Sequence, residues 1–185
     1  MMQARTSLPR FESRNAYQVW AERQSGRGWE RHGNQVVVIA PDQTRHERIK
    51  ACVRQALDAA IRTVGSSCKV LGGGTMVGVE EDTDYEPDAI VAFGDRGAFE
   101  PVIIVEVSSP SISSRDLNIR LADYFLLPSV RHCLVVGSEG RQVLHHRLGN
   151  QGELVTTTTY QGGSIRLEPE GIALAVSDLY PDDFQ

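Results

Sequence analysis

The chain has 185 residues, of which 41% are hydrophobic and 23% charged, the proportions of a globular protein able to bury a sizeable core. Nineteen Lys and Arg against 24 Asp and Glu leave a formal charge of -5, which excludes a broadly basic surface of the histone or polybasic kind, whose affinity comes from releasing many counterions. Cys52, Cys68 and Cys133 are odd in number and form no C-x-x-C pair, so zinc-ribbon and dithiol chemistry are set aside and a reducing, cytoplasmic setting is expected. No apolar run approaches the roughly 20 residues that span a bilayer, and the first 14 residues lack the apolar centre of a secretory signal. No membrane association is expected. Residues 1 to 12 read as a frayed tail and 13 to 185 as a single domain.

A first helix is predicted from Arg14 to Gln24, with Ser13 as its cap and Tyr17, Trp20 and Ala21 on one face. Gly26 and Gly28 end it. Trp29 to His32 and Gln35 to Ala40 read as an antiparallel hairpin turned at Gly33-Asn34. The Thr44-x-x-Glu47 capping pattern then opens the strongest helix, which runs to about Thr63 with Ile49, Cys52, Val53, Ala56, Leu57, Ala60, Ile61 and Val64 recurring at three- and four-residue steps as its buried stripe. Cys68 to Leu71 and Thr75 to Val79 are expected strands around Gly72-Gly73-Gly74. That triple glycine lacks the Gly-Lys-Ser/Thr ending of a phosphate loop, and a bulge or turn is the better account. Residues 80 to 88 hold six acids, but Pro87 stands where a calcium loop needs glycine, so a solvated acidic loop is expected for all but Asp88.

Ala89 to Phe93 and Val102 to Val107 have the unbroken apolar character of strands covered on both faces. A helix from Ser114 to Leu127 follows, with Leu117, Leu121, Tyr124 and Phe125 inward, and then a buried strand over His132 to Val136. Beyond Arg141 the pattern changes to short strands, Val143 to Arg147, Leu154 to Tyr160 and Ser164 to Leu167, with a helical turn over Ser177 to Tyr180. His145 and His146 alternate along one of these strands and are expected at the surface. The fold class is α/β or α+β.

Two acids stand out by position. Asp88 precedes one apolar strand and Glu106 lies near the end of the next. If these strands form an antiparallel pair in which Phe93 meets Pro101, residue 88 falls opposite residue 106, with β-carbons roughly 5 Å apart on the same face. Two carboxylates meeting there repel unless a cation stands between them, and Mg²⁺ with oxygen ligands fits that demand. Such an ion polarises a phosphoryl oxygen and activates a bound water, the chemistry of phosphodiester hydrolysis. The competing account of Glu106 is a structural salt bridge to Arg120, because a charge inside an apolar strand must be paired.

The run Tyr85-Glu86-Pro87-Asp88, then Glu106-Val107-Ser108-Ser109-Pro110-Ser111, then Asp116-x-x-x-Arg120-Leu121-x-x-Tyr124 and Pro128-Ser129-Val130-Arg131-His132, resembles the Uma-type family of restriction endonucleases within the PD-(D/E)xK nuclease superfamily. Trp29-Glu30, the Gly33 turn, His46 at the start of the long helix and the ending Gly171-Ile172-x-Leu174 to Leu179-Tyr180 fit the same pattern. The resemblance covers about residues 13 to 182.

It implies a restriction-endonuclease-like mixed central sheet flanked by helices, with extra C-terminal antiparallel strands. It also implies a Mg²⁺ (or Mn²⁺) site made by Asp88, Glu106 and the Val107 carbonyl, acting on DNA in the manner of an endonuclease. Glu30 matches a family acid near the metal. His46 and Ser108 are candidate substrate-binding residues, and a homodimer is expected by analogy with the superfamily. The family's lysine falls at Arg120, which keeps the charge and can fork onto phosphate but does not deprotonate. That substitution supports an alternative, a nuclease fold impaired in catalysis that binds nucleic acid or a protein partner.

Overall fold

The computed structural model describes residues 8–24, 28–39, 44–95, 98–108, 113–149, 151–168 and 171–184. In chain order its elements are helix α1 (Arg14–Ala21), strands β1 (Trp29–His32) and β2 (Gln35–Val38), helix α2 (Thr44–Val64), strands β3 (Lys69–Gly72), β4 (Val77–Glu80), β5 (Thr83–Tyr85), β6 (Ala89–Asp95) and β7 (Ala98–Val107), helix α3 (Ser114–Tyr124), strands β8 (His132–Val136), β9 (Gln142–Leu148), β10 (Leu154–Tyr160), β11 (Ser164–Leu167) and β12 (Ile172–Ala175), and a 3₁₀ turn (Val176–Leu179). The backbone divides into two compact units, Met1–Pro41 with Gly74–Glu86, and Asp42–Gly73 with Pro87–Gln185. No composition shift in the sequence marks that division, because the first unit is assembled from two separate stretches of chain.

In the first unit, Ser13 caps α1 by accepting a hydrogen bond from the Ala16 amide, and Tyr17 is fully buried with its hydroxyl donating to the Trp29 carbonyl at 2.8 Å. β1 and β2 pair antiparallel across Gly33 and Asn34, both with positive φ. A two-residue hairpin needs that left-handed backbone to match strand twist, and Gly-Asn tolerates it. The sheet runs β2-β1-β5-β4. Residues 1 to 7 of the expected frayed tail lie outside the described residues, as do Gly26, Pro41 and Asp42; further on, the Pro9 carbonyl accepts from Val36 and the Phe11 amide donates to Asn34.

The acidic segment corrects the expectation of a solvated loop. It contains β5, whose three residues are all buried. Asp84 is fully buried between two arginines, with Arg31 Nη2 at 2.6 Å and Arg14 Nε at 2.5 Å. Arg31 is itself fully buried and also donates to the carbonyls of Phe11 and Glu81. Every polar atom of such a pair needs a partner once water is gone, and this network supplies them.

The second unit is built on a six-stranded sheet in the order β10-β9-β8-β7-β6-β3. All pairings are antiparallel except β7 with β8, which are parallel and joined through α3. A parallel pair demands such a crossover, so α3 is where the topology requires a helix. α2 packs Ile49, Val53, Leu57 and Ile61 into a core shared with Ala89, Val91, Ile103, Val105 and Val107. β12, which the sequence did not signal as a strand, pairs with β11 and adds Ile172 and Leu174 to that core.

The β6–β7 register carries the site. Ala89 faces Val105, Ile90 faces Ile104 and Val91 faces Ile103, the register that strand counting gives as far as the neighbour of each acid, and beyond it the Asp88 amide donates to the Val105 carbonyl. At the tip the predicted pairing is one residue out: Phe93 meets Glu100, and Ala92 meets Pro101. The register shifts between Val91 and Ala92, placing the extra residue on β7 at Val102. A bulge of this kind adds one residue to one strand. Here it falls on the tip side, so the pairing from Ala89 with Val105 to Val91 with Ile103 keeps the expected alignment.

Candidate active site

Asp88 lies just before β6, and its two carboxylate oxygens have different partners. Oδ2 accepts a 2.6 Å hydrogen bond from the Val107 amide, while Oδ1 is 2.6 Å from Nζ of Lys50 on α2. Its own amide donates to the Val105 carbonyl. The aspartate therefore closes the end of the strand pair and is tied to the residue beside Glu106.

Glu106 alternates away from the Val105 and Val107 side chains, which belong to the core shared with α2. Only 4% of it is exposed. Its Oε1 accepts a 2.6 Å hydrogen bond from the Tyr124 hydroxyl and lies 3.4 Å from Arg120 Nη1, both from α3. Residues 120 and 124 are one helical turn apart and so present their polar ends together. The buried thiol of Cys133, on β8, has its pKa pushed up by burial and, to a lesser degree, by the charge of Glu106.

The other residues singled out in sequence fall in several places. His46, one turn into α2, points Nε2 at the Val107 carbonyl at 2.8 Å, which places the ring proton on that nitrogen. A carbonyl oxygen has two lone pairs, so this bond leaves Val107 with acceptor capacity for a cation. Ser108 donates its amide to Val136 and accepts the Ser138 amide on Oγ at 3.0 Å, lining a cleft of about 430 Å³ with Gly137 to Gln142 and Tyr160. Ser109, Pro110 and Ser111 lie outside the described residues. Glu30 belongs to the first unit, where Oε1 accepts the Glu86 amide at 3.0 Å and Oε2 is 3.0 Å from His32. Far from being a solvent-facing hairpin acid, it is 3% exposed.

The expectation of a surface position fails for His145. It is 7% exposed, and its Nε2 lies 2.8 Å from Nδ1 of His132, whose Nε2 donates to the Glu168 carbonyl at 2.7 Å. Burial first, and then the charges of His132, Arg147 and His146, lower its pKa to about 4. His146 points the other way and bonds Thr156, so the strand alternation itself was read correctly.

Lys50 is the contact that sequence reasoning missed. Its helix was read by its apolar stripe alone, although Lys50 stands four residues after His46 and therefore on the same face. The chain contains two lysines, Lys50 and Lys69.

Among the described residues no three His, Cys, Asp or Glu side chains gather as a metal cluster. The oxygen set on offer is the carboxylates of Asp88 and Glu106 with the Val107 carbonyl. Hard oxygen donors in that number suit Mg²⁺, which keeps several waters and takes one or two protein carboxylates, and do not suit zinc.

The sequence matches, over residues 14–178, the family described as "Uma2: Putative restriction endonuclease". The chain belongs to that family. Among solved structures it is similar to one titled as a putative nuclease belonging to DUF820 from Anabaena variabilis ATCC 29413, with a TM-score of 0.66, 12% identity, and coverage of 82% of this chain and 89% of that one. At that identity the likeness establishes the fold, which is of the restriction-endonuclease-like mixed α and β kind expected from the sequence. No curated protein matches the chain.

Proposed function

We propose that the protein is a Mg²⁺-dependent endonuclease that hydrolyses DNA phosphodiester bonds. Membership of a family described as restriction endonucleases supports the reaction class. The observation that carries the reading is the tie between Asp88 and the Val107 amide, which brings an ordered carboxylate to the residue adjoining buried Glu106. Asp88, Glu106 and the Val107 carbonyl would hold the ion, which when bound lowers the pKa of a coordinated water and polarises the phosphoryl oxygen. His46 orients the Val107 carbonyl. Tyr124 and Arg120 hold the Glu106 carboxylate, and Arg120 brings a permanent positive charge to it. Ser108 lies at the mouth of the cleft after β7 and β8, the carboxyl ends of the one parallel pair, where ligands bind in open α/β sheets. Glu30 is given no step in this reading. A homodimer would present two such sites to the two strands of a duplex.

The test is nicking of supercoiled DNA. Cleavage is expected with Mg²⁺ or Mn²⁺ and not with EDTA, and Asp88→Asn is expected to end it while leaving the circular dichroism spectrum unchanged. Persistent cleavage by that variant would remove Asp88 from the mechanism.

One observation favours a second reading. Arg120, at the position of the family's lysine, is engaged with Glu106, so that carboxylate is already partly neutralised. A protein impaired in catalysis would bind DNA with EDTA present and would leave it uncut whichever divalent ion is added.

A further inference from the structure

Beside its apolar stripe, α2 carries a polar one with the same four-residue step, His46, Lys50 and Arg54. All three address the ends of β6 and β7. His46 reaches the Val107 carbonyl, Lys50 pairs with Asp88 Oδ1, and Arg54 Nη1 lies 3.4 Å from the Asp88 carbonyl. The Lys50 side chain is only 14% exposed. Lysine is among the residues least often withdrawn from water, because its ammonium is strongly hydrated. Its placement here therefore has an electrostatic reason, and the partner is the carboxylate on which the nuclease reading depends.

We propose that Lys50 is the active-site lysine of this protein, delivered from α2 to the scissile phosphate, while Arg120 on α3 serves to hold Glu106. The inference rests on the nuclease reading and deepens it. Two features support the division of labour. Arg120 is committed to a carboxylate that it shares with Tyr124, and its planar fork presents donors in one plane. The ammonium of Lys50, 2.6 Å from Asp88 and 3.6 Å from Glu47, has three donors on a flexible stem, so it can keep Asp88 and exchange its looser partner for a phosphate oxygen. A cation that touches both a metal-binding carboxylate and the transferred phosphate stabilises the charge that builds up during attack. A lysine that merely neutralised Asp88 would need no access to substrate.

Two measurements on the full-length chain test this. In single-turnover cleavage, Lys50→Met is expected to lose about 100- to 1,000-fold in rate, the usual loss on removing one charged transition-state donor, while Lys69→Met cleaves like the unaltered protein. Lys50→Arg, which retains a charge beside Asp88 and guards against misfolding, is expected to recover part of that loss. The second measurement does not depend on activity. Because the chain has two lysines, [¹³C]lysine labelling gives two sets of side-chain NMR signals, assigned with Lys69→Met. Adding a DNA duplex with Ca²⁺ in place of Mg²⁺ is expected to shift the ε signal of Lys50 and leave that of Lys69 in place.

Wild-type cleavage rates in a folded Lys50→Met protein would overturn the proposal, as would a stationary Lys50 signal with duplex bound. Failure of the unaltered protein to cleave at all would instead refute the nuclease reading. The NMR measurement then decides on Lys50 alone, with a duplex-dependent shift retaining it as the phosphate contact and its absence removing it.

Discussion

At the scale of single residues, the buried charges separate into the Arg31–Asp84 network of the first unit and the carboxylates of the proposed site. Asp84 and Arg31 are fully buried and hydrogen-bonded to each other, and Arg31 also donates to main-chain carbonyls. Removing one partner from such a pair leaves an uncompensated charge, so Arg31→Met is expected to destabilise the protein by about 3–5 kcal/mol in urea denaturation. The double variant Arg31→Met with Asp84→Asn is expected to recover part of that loss, and an equal or larger loss would show that the charges themselves were not coupled. His145 makes a different prediction. Its pKa is lowered to about 4 in the folded protein against 6.5 for the unperturbed ring, so the unfolded chain binds the extra proton first as pH falls. Its contribution is intact above pH 6.5 and is lost progressively toward pH 4, up to roughly 3 kcal/mol. Melting temperature should drop across that window, and His145→Gln should flatten the drop; an unchanged pH dependence would contradict the cause assigned.

At the scale of elements, α2 shows why a periodic helix can be read correctly and its function still missed. The stripe Ile49, Val53, Leu57 and Ile61 is visible in sequence because apolar residues recur at the helical period, and all four are buried. Leu57→Ala is expected to cost about 2–5 kcal/mol by opening a cavity in a fully buried position, measurable as a shift of the denaturation midpoint at constant slope. The neighbouring stripe His46, Lys50 and Arg54 follows the same spacing, but polar residues on a helix usually face water, and no local signal separates these from that default. Only the sheet's end, brought up by tertiary packing, gives them Val107 and Asp88 as partners. The β6–β7 hairpin was legible in the opposite way. Its register from Ala89 and Val105 to Val91 and Ile103 followed from strand counting, while the bulge at Val102 was invisible, because a bulge depends on pairing with a partner strand and leaves no fixed residue signature here.

At the scale of the whole molecule, sequence patterns located nearly every helix and strand of the second unit's sheet, since its strands are long, apolar and bounded by turns. They did not reveal how the first unit's sheet is assembled, with Arg31 of the hairpin paired to Asp84, 53 positions further on. Nor did they reveal β5, where an acidic run is buried only because Arg14 and Arg31 come from elsewhere in the chain to meet it. The net charge of -5 takes on a local meaning in this structure. Acids and their cations are concentrated at particular points, and the Asp88 and Glu106 carboxylates lie against Lys50 and Arg120 respectively. Such a site suits one phosphate at a time and predicts DNA binding of shallow salt dependence, with few counterions released. The account stands most directly on metal-dependent cleavage of supercoiled DNA by the unaltered chain beside Asp88→Asn. It predicts nicking with Mg²⁺ that disappears in EDTA and in the folded variant, and equal cleavage by both proteins, or by neither, would contradict it.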